Sequence, residues 1–238
     1  MMGRLAQASP RSTARVAGFF YLLVFLSAIP LALAAKLVVR GDAAATTANI
    51  VAHQATWRSG FTAELLQVAS YIMVTALFYA LFKPVNRPLA LIAALFSIVG
   101  CAIQALAFVF YTIPLELSSG SAPLGVFKVE QIQALALTSL KIETVGYDIG
   151  LVFFGFYDFL IGYLVFRSTF LPRALGILMS LAGLGFLTFL WPPLANAISP
   201  VVLLAGLIGE GALTVWLLAF GVDDRRWKEQ ADASATII

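Results

Sequence analysis

The sequence predicts an all-α polytopic membrane helix bundle with about six transmembrane helices, and two observations carry that prediction. First, 61% of the 238 residues are hydrophobic and only 11% are charged, whereas soluble globular domains carry about 25% charged residues. Second, the apolar residues are gathered into runs of about 20 residues, which is the length that an α-helix needs to cross a bilayer. Lipid is therefore expected to surround much of the chain.

The predicted spans follow one another along the chain and are separated by short loops or longer polar segments. They lie at Val16–Ala35, Thr62–Phe82, Leu89–Ile113, Gly146–Phe166, Ala174–Trp191 and Pro200–Phe220. Proline and charged or aromatic residues mark segments 83–88, 167–173 and 191–193, where proline stops or kinks a helix and the other residues suit the headgroup level. The chain is thus predicted to consist of a tail (residues 1–15), a transmembrane domain (16–221) and a second tail (222–238).

Lysine and arginine are unevenly distributed between the two sides of this topology. The two tails and the second and fourth loops hold about twice as many of these residues as the other loops, and cytoplasmic loops retain the excess of basic residues. Both termini are therefore predicted to be cytoplasmic, in a cell (inner) membrane. A cleaved signal peptide ending near Ala32-Leu33-Ala34 is the alternative for the first span; the apolar run continues through Ala35 and is long enough to span, which favours a retained helix.

Two segments outside the spans have helical character. Asp42 is expected to cap a short helix over Ala43–His53, and Phe127–Glu143 is rich in helix formers after the flexible stretch Ser118–Pro123. A pair of interfacial helices on the outer leaflet is the favoured interpretation. A lid over a cavity is the alternative.

Acidic residues inside the spans are the most informative feature for function. At about 100° per residue, one side of the fourth helix carries Asp148, Leu151, Gly155, Asp158 and Gly162. The opposite side carries Ile149, Phe153, Phe156, Leu160 and Leu164. A central Asp costs about 2.5–3.5 kcal/mol on the membrane-insertion scale, so the acids are expected to face the protein interior and the bulky residues to face lipid.

Polar stripes on other spans match this acidic side. The second span carries Glu64, Gln67, Tyr71 and Thr75, the third carries Ser97, Gly100, Gln104 and Tyr111, and the sixth carries Gly206, Glu210 and Thr214. These patterns predict a polar interior between helices two, three, four and six. The candidate intramembrane site consists of Asp158, Glu210, Asp148, Glu64, Gln104 and Tyr147.

Two interpretations of these acids stay open. In the structural one, they are protonated or hydrogen-bonded to Tyr, Gln and Thr and hold helices together, each contact contributing about 0.6 kcal/mol. In the functional one, they form a proton or cation pathway or bind a positively charged solute, since intramembrane ionisable residues are functional candidates by default. The structural interpretation is favoured for Glu64 and Asp148, which are expected near the interface.

Several function classes are disfavoured. The chain has one histidine, His53, one cysteine, Cys101, and neither an H-E-x-x-H nor a G-x-x-x-x-G-K-[ST] motif, which argues against a zinc protease, a bis-histidine haem protein and a P-loop ATPase. No cofactor or metal is predicted. The scattered basic residues indicate no nucleic-acid partner. An intramembrane enzyme acting on lipid or quinone has the least support, because no nucleophile–base pair is visible.

Several short motifs together resemble a bacterial membrane family catalogued as domain of unknown function 4386. They are Gly41–Ala44, Lys83–Arg87, Gly146–Gly155, Gly162–Leu164, Phe170–Arg173 and Gly209-Glu210, and the resemblance runs from about Arg15 to Val222. It implies a multi-pass protein of the bacterial inner membrane and supplies no catalytic residues. Members often carry a histidine where this chain has Tyr157, so a chemistry that needed that histidine would be missing here.

The leading function hypothesis is a small transporter or channel-like protein for protons, cations or a small solute, with Asp158 and Glu210 as the coupling acids. The alternative is a non-catalytic structural or accessory membrane protein whose buried acids only pack helices or bind a partner subunit. The lipid bilayer is the partner that both hypotheses require.

Overall fold

The computed structural model describes residues 9–118 and 126–235. In these two ranges the chain forms eight α-helices and no strand. They are α1 (Pro10–Ala35), α2 (Ala43–Ala52), α3 (Gln54–Phe82), α4 (Arg87–Ser118), α5 (Val129–Arg167), α6 (Arg173–Phe186, continued by a 3₁₀ turn at Leu187–Leu190), α7 (Pro192–Ala219) and α8 (Asp224–Ala235). Helices α1, α3, α4, α5, α6 with its 3₁₀ turn, and α7 are long and apolar enough to cross a membrane. The predicted fold class is confirmed.

One prediction about the segments outside the spans is wrong. Phe127–Glu143 does not contain a separate interfacial helix, because α5 runs without interruption over 39 residues from Val129. No proline or glycine occurs between Val129 and Val145, so nothing in the local sequence ends the helix before the predicted start of the span. The stretch Ser118–Pro123 lies, apart from Ser118, outside the described residues.

Other helix boundaries also differ from the predicted spans. Helix α3 begins at Gln54 rather than Thr62, and α7 begins at Pro192 rather than Pro200. Proline is favoured in the first helical turn, where its missing N–H costs no hydrogen bond. Pro192 and Pro193 therefore begin α7, and Pro200 lies inside the helix.

The predicted cap of the first loop is confirmed. The backbone N–H of Ala45 donates to Asp42 Oδ1 at 2.8 Å, and the helix covers Ala43–Ala52. The preceding loop is tied to this helix, since Val39 N donates to Thr46 Oγ1 at 2.9 Å and Asn49 Nδ2 donates to the Leu37 carbonyl at 3.2 Å. These bonds give the loop a defined backbone course.

The chain divides into two compact units. Unit 1 comprises Met1–Leu22, Ser70–Cys101 and Ile149–Ile238, and unit 2 comprises Leu23–Ala69 and Ala102–Asp148. Unit 1 therefore contains the short loops after α3 and α5 together with α8. Unit 2 contains the loop before α2.

Small residues bring α5, α6 and α7 close together in unit 1. A Cβ atom at Gly176 would lie 2.6 Å from the Gly162 carbonyl oxygen, and one at Gly209 would lie 2.7 Å from the Leu178 carbonyl oxygen. Backbones can approach this closely only where side chains are absent, as in many membrane helix pairs. Gly162, Gly176 and Gly209 are therefore packing positions.

Helix α8 is held to the rest of unit 1 by side chains of its first half. Trp227 Nε1 donates to the Leu81 carbonyl at 2.9 Å, and the Thr169 backbone N–H donates to Gln230 Oε1 at 3.0 Å. Near the start of α8, the Arg11 backbone N–H donates to Asp224 Oδ1 at 2.7 Å. The described part of the C-terminal tail is thus a docked amphipathic helix.

The core of unit 2 is small and partly aromatic. Its buried cluster consists of Ala34, Ile50, Trp57, Tyr111 and Leu140. The Trp57 and Tyr111 rings stack with centroids 4.0 Å apart and planes at 7°. Stacked rings that also bury their polar atoms give a well-defined packing geometry.

Candidate functional site

Two acids meet inside unit 1. The α5 residue Asp158 is 0% exposed and the α7 residue Glu210 is 9% exposed, and their carboxyl groups interact directly. Both oxygens of Asp158 are buried and lack a partner with good hydrogen-bond geometry among the described residues. The helical spacing predicted that both acids face inward, and both do.

Three buried tyrosines surround this acidic pair. Tyr21, Tyr71 and Tyr157 are 0%, 6% and 1% exposed. The hydroxyls of Tyr21 and Tyr71 are 3.4 Å apart, and the rings of Tyr71 and Tyr157 have centroids 5.9 Å apart. Tyr21 also hydrogen-bonds to Glu210. The acidic pair therefore lies in an aromatic environment whose polar atoms are phenolic hydroxyls.

Other polar side chains near these helices satisfy each other or their own backbone. The hydroxyls of Thr75 and Ser97 are 2.6 Å apart, and Thr75 Oγ1 lies 2.8 Å from the Tyr71 carbonyl oxygen. Thr214 Oγ1 donates to the Glu210 carbonyl at 2.8 Å. The Thr75–Ser97 contact connects α3 and α4 in the way expected of structural polar residues, and the other two bonds lie within one helix. The Asp158 oxygens make no contact of comparable geometry in the described structure.

A second group of polar residues lies in unit 2, around a cavity of about 410 Å³. We call it the Glu64 cavity; it is lined by Leu31, Ala35, Val38, Arg40, Trp57, Glu64, Tyr111, Leu140, Glu143, Thr144 and Tyr147. Glu64 is 1% exposed, and its Oε2 atom is buried without a hydrogen-bond partner in the described part of the chain. Glu143 interacts electrostatically with Glu64.

The six predicted site residues thus fall into two groups, each within one unit. Unit 1 holds Asp158 and Glu210. Unit 2 holds Glu64 and Tyr147 at the cavity, together with buried Gln104 and half-buried Asp148. No group of three or more His, Cys, Asp or Glu side chains in the described ranges is arranged to hold a metal ion.

Three residues near these acids, Tyr21, Tyr157 and Glu143, are not among the predicted site residues. Tyr21 and Tyr157 interrupt apolar runs with a hydroxyl, which is the signal that could have identified them. The local sequence around Glu143 predicts an interfacial helix, and only the uninterrupted course of α5 places this residue at the cavity.

The prediction that one side of α5 faces lipid is wrong at Leu164. This residue is 0% exposed, and Phe156 on the same side stacks on Phe96 of α4 with centroids 4.9 Å apart. Over its most apolar stretch α5 is 56% buried, more than any other candidate span. Protein therefore covers more of the surface of α5 than the single inward-facing side that the spacing predicts.

Comparison with known proteins agrees with the motifs noted above. Residues 16–221 match the family described as Domain of unknown function (DUF4386). An uncharacterized protein of Archaeoglobus fulgidus is 28% identical over 116 residues, which cover 49% of this chain and 56% of that protein. The match thus spans a little over half of the relative's length. No solved structure shows significant similarity. Since the family match covers most of the chain and six helices in the described ranges are long and apolar enough to span a membrane, this multi-pass membrane protein belongs to the DUF4386 family.

Proposed function

We propose that the protein is a small proton- or cation-linked membrane transporter, with Asp158 and Glu210 as its coupling acids and both termini in the cytoplasm. The observation that carries the proposal is the Asp158 carboxyl, which is fully buried beside the acid Glu210, with neither oxygen in good hydrogen-bond geometry with a partner in the described structure. The distribution of Lys and Arg supports the orientation.

A purely structural role accounts poorly for this carboxyl. Residues that hold membrane helices together do so through hydrogen bonds, as Thr75 and Ser97 do here. Burying a polar group without such bonds costs about 1–3 kcal/mol in proteins. The buried Asp158 carboxyl therefore lowers the free energy of unfolding without a well-formed hydrogen bond to offset this effect, which is typical of functional residues inside membranes.

The chemistry of the pair suits reversible binding of a small cation. Two neighbouring carboxyls in a water-poor environment cannot both stay ionised without a counter-charge, and no ion pair in the described ranges involves either of them. A proton or a small monovalent cation shared between the two side chains would supply that charge. The hydroxyl of Tyr157 is likewise buried, without a partner in good hydrogen-bond geometry in the described structure.

The test is ion flux in proteoliposomes that contain the purified protein. Internal pyranine reports proton movement and ²²Na⁺ uptake reports cation movement, under an imposed potassium diffusion potential. We expect Asp158→Asn and Glu210→Gln, which keep side-chain shape, to lower the flux at least 10-fold. Glu229→Gln, at an exposed position on α8, is the matched control and should leave the flux unchanged.

Two outcomes contradict the proposal. If Asp158→Asn and Glu210→Gln accumulate normally in the membrane and carry the same flux as the unaltered protein, the acids do not couple transport. If both variants fail to accumulate, the acids are required for folding, and the structural or accessory role is the better account.

A further inference from the structure

We propose that the Glu64 cavity of unit 2 is a binding site for a small organic ammonium cation. This inference concerns binding alone and does not depend on the transport proposed for the unit 1 acids. The cavity volume of about 410 Å³ falls within the range of small-molecule sites. Three features of its lining point to this class of ligand.

The first feature is the charge of the lining. Glu64 and Glu143 both line the cavity, and Glu64 Oε2 is buried without a hydrogen-bond partner in the described residues. A carboxyl oxygen in such a place lacks the compensation that buried polar atoms normally have. Arg40 is the basic residue of the lining, and its side chain is largely exposed to solvent. A cation bound in the buried part of the cavity would supply the compensation that this carboxyl group lacks.

The second feature is the aromatic wall. Trp57 Nε1 donates to the Tyr111 carbonyl at 3.2 Å, and the Tyr111 hydroxyl donates to the Trp57 carbonyl at 3.1 Å. Because these polar atoms are engaged with each other's backbone and the rings cover each other's inner faces, the two residues offer the cavity carbon surface rather than hydrogen-bonding groups. An ammonium group over a ring face that stacking leaves uncovered gains about 0.5–2 kcal/mol from cation–π interaction.

The third feature separates an organic cation from a metal ion. Leu31, Val38 and Leu140 contribute apolar surface to the same cavity, and such surface stabilises alkyl or aryl substituents but not a hydrated metal. Two glutamates supply at most four carboxyl oxygens, fewer than the six to eight oxygen ligands that Ca²⁺ takes. Two carboxyl groups, an aromatic wall and apolar surface together match an ammonium ion that carries hydrocarbon groups.

The binding test uses the full-length protein in nanodiscs of phosphatidylglycerol, which contain no choline headgroups. Benzylammonium chloride, whose N–H groups can donate to Glu64, is titrated by isothermal calorimetry, with sodium chloride and uncharged benzyl alcohol as ligand controls. We expect saturable binding with one site per chain for the ammonium probe alone. Glu64→Gln should weaken it at least 10-fold, while Glu130→Gln, an exposed acid on the same helix as Glu143, should leave it unchanged.

A second variant keeps the test decisive if Glu64→Gln does not fold. Ala35→Phe leaves both acids in place and fills part of the cavity from the end of α1, so it should also abolish binding. Size-exclusion profiles and circular dichroism verify that each variant is folded. The proposal is overturned if the probe does not bind saturably, if benzyl alcohol binds equally well, or if folded Glu64→Gln or Ala35→Phe binds like the unaltered protein.

Discussion

Buried polar residues in the described spans belong to two physical kinds. Ser27 Oγ lies 3.1 Å from Gln67 Oε1, and Thr75 pairs with Ser97, so these side chains provide partners for one another. Asp158 and Glu64 instead have buried oxygens without partners in the described structure. An unsatisfied buried polar atom destabilises the folded protein. Residues of the second kind are therefore the better candidates for binding a ligand or an ion, which would supply the missing partner.

Asp223, outside the spans, gives a pH-dependent prediction at this scale. The backbone N–H groups of Arg226 and Arg225 donate to its Oδ1 atom at 3.1 and 3.0 Å and hold its pKa below the usual value of an aspartate. A carboxyl with a lowered pKa in the folded state stabilises that state above its unfolded pKa of about 3.9. This stabilisation is lost as pH falls through the lower, folded value.

We therefore expect the first turn of α8 to loosen reversibly in acid, below about pH 4. A spin label at Ala233, on a Cys101→Ser background, should show faster motion by electron paramagnetic resonance as the pH falls from 6 to 3. Asp223→Asn keeps an acceptor oxygen but does not titrate, so its spectra should change much less over the same range. Equal changes in both proteins would show that another group controls the helix.

At the level of helices, the contact between α5 and α6 depends on glycine. A Cβ atom at Gly183 would lie 2.7 Å from the Gly155 carbonyl oxygen and also collide with the Phe159 backbone. Gly211 of α7 is the matched contrast, because a Cβ atom there meets nothing within 4 Å. The same substitution therefore has opposite physical consequences at the two positions.

We predict that Gly183→Ala destabilises the protein by about 1–3 kcal/mol, the usual cost of overpacking. Gly211→Ala should be neutral or stabilise it by up to about 1 kcal/mol, because alanine loses less backbone entropy in a helix. Unfolding by sodium dodecyl sulfate in mixed micelles, followed by circular dichroism, measures both. If the two variants unfold at the same detergent fraction, close packing of α5 on α6 does not contribute to stability.

For the molecule as a whole, the membrane orientation is the prediction that is most directly testable. With cytoplasmic termini, the α2 segment faces the outside and α8 faces the cytoplasm. On a Cys101→Ser background, Ala44→Cys should react with a membrane-impermeant maleimide in intact cells. Glu229→Cys should react only after the cells are permeabilised. Both positions are exposed, so the reverse labelling pattern would mean that the orientation is inverted.

Much of the architecture follows from local sequence. Mean apolar character over a bilayer length identified the spans, and the position of Asp42 identified the cap of α2, because both depend on neighbouring residues alone. The burial of Asp158 and Glu210 also followed from helical spacing. Leu164 shows where this reasoning fails. Helical spacing predicts that its side of α5 faces lipid, yet Leu164 is fully buried. Spacing distinguishes the polar side of a helix from the apolar side, but it does not tell how many other helices pack around that helix.

Composition and periodicity were thus sufficient to predict an all-α fold, six membrane-length helices in the described ranges, and acids that face away from lipid. The reason is that hydrophobic transfer energies add up along the chain and can be read from neighbouring residues. Which acids meet depended on the packed structure. Glu143 lines the Glu64 cavity because the helix α5 includes residue 143 instead of beginning after it. Asp158 lies beside Glu210 because the parts of α5 and α7 that carry them belong to one closely packed unit. Proximity depends on helix rotation and helix ends, and those are set by side-chain packing between segments that are distant in the sequence.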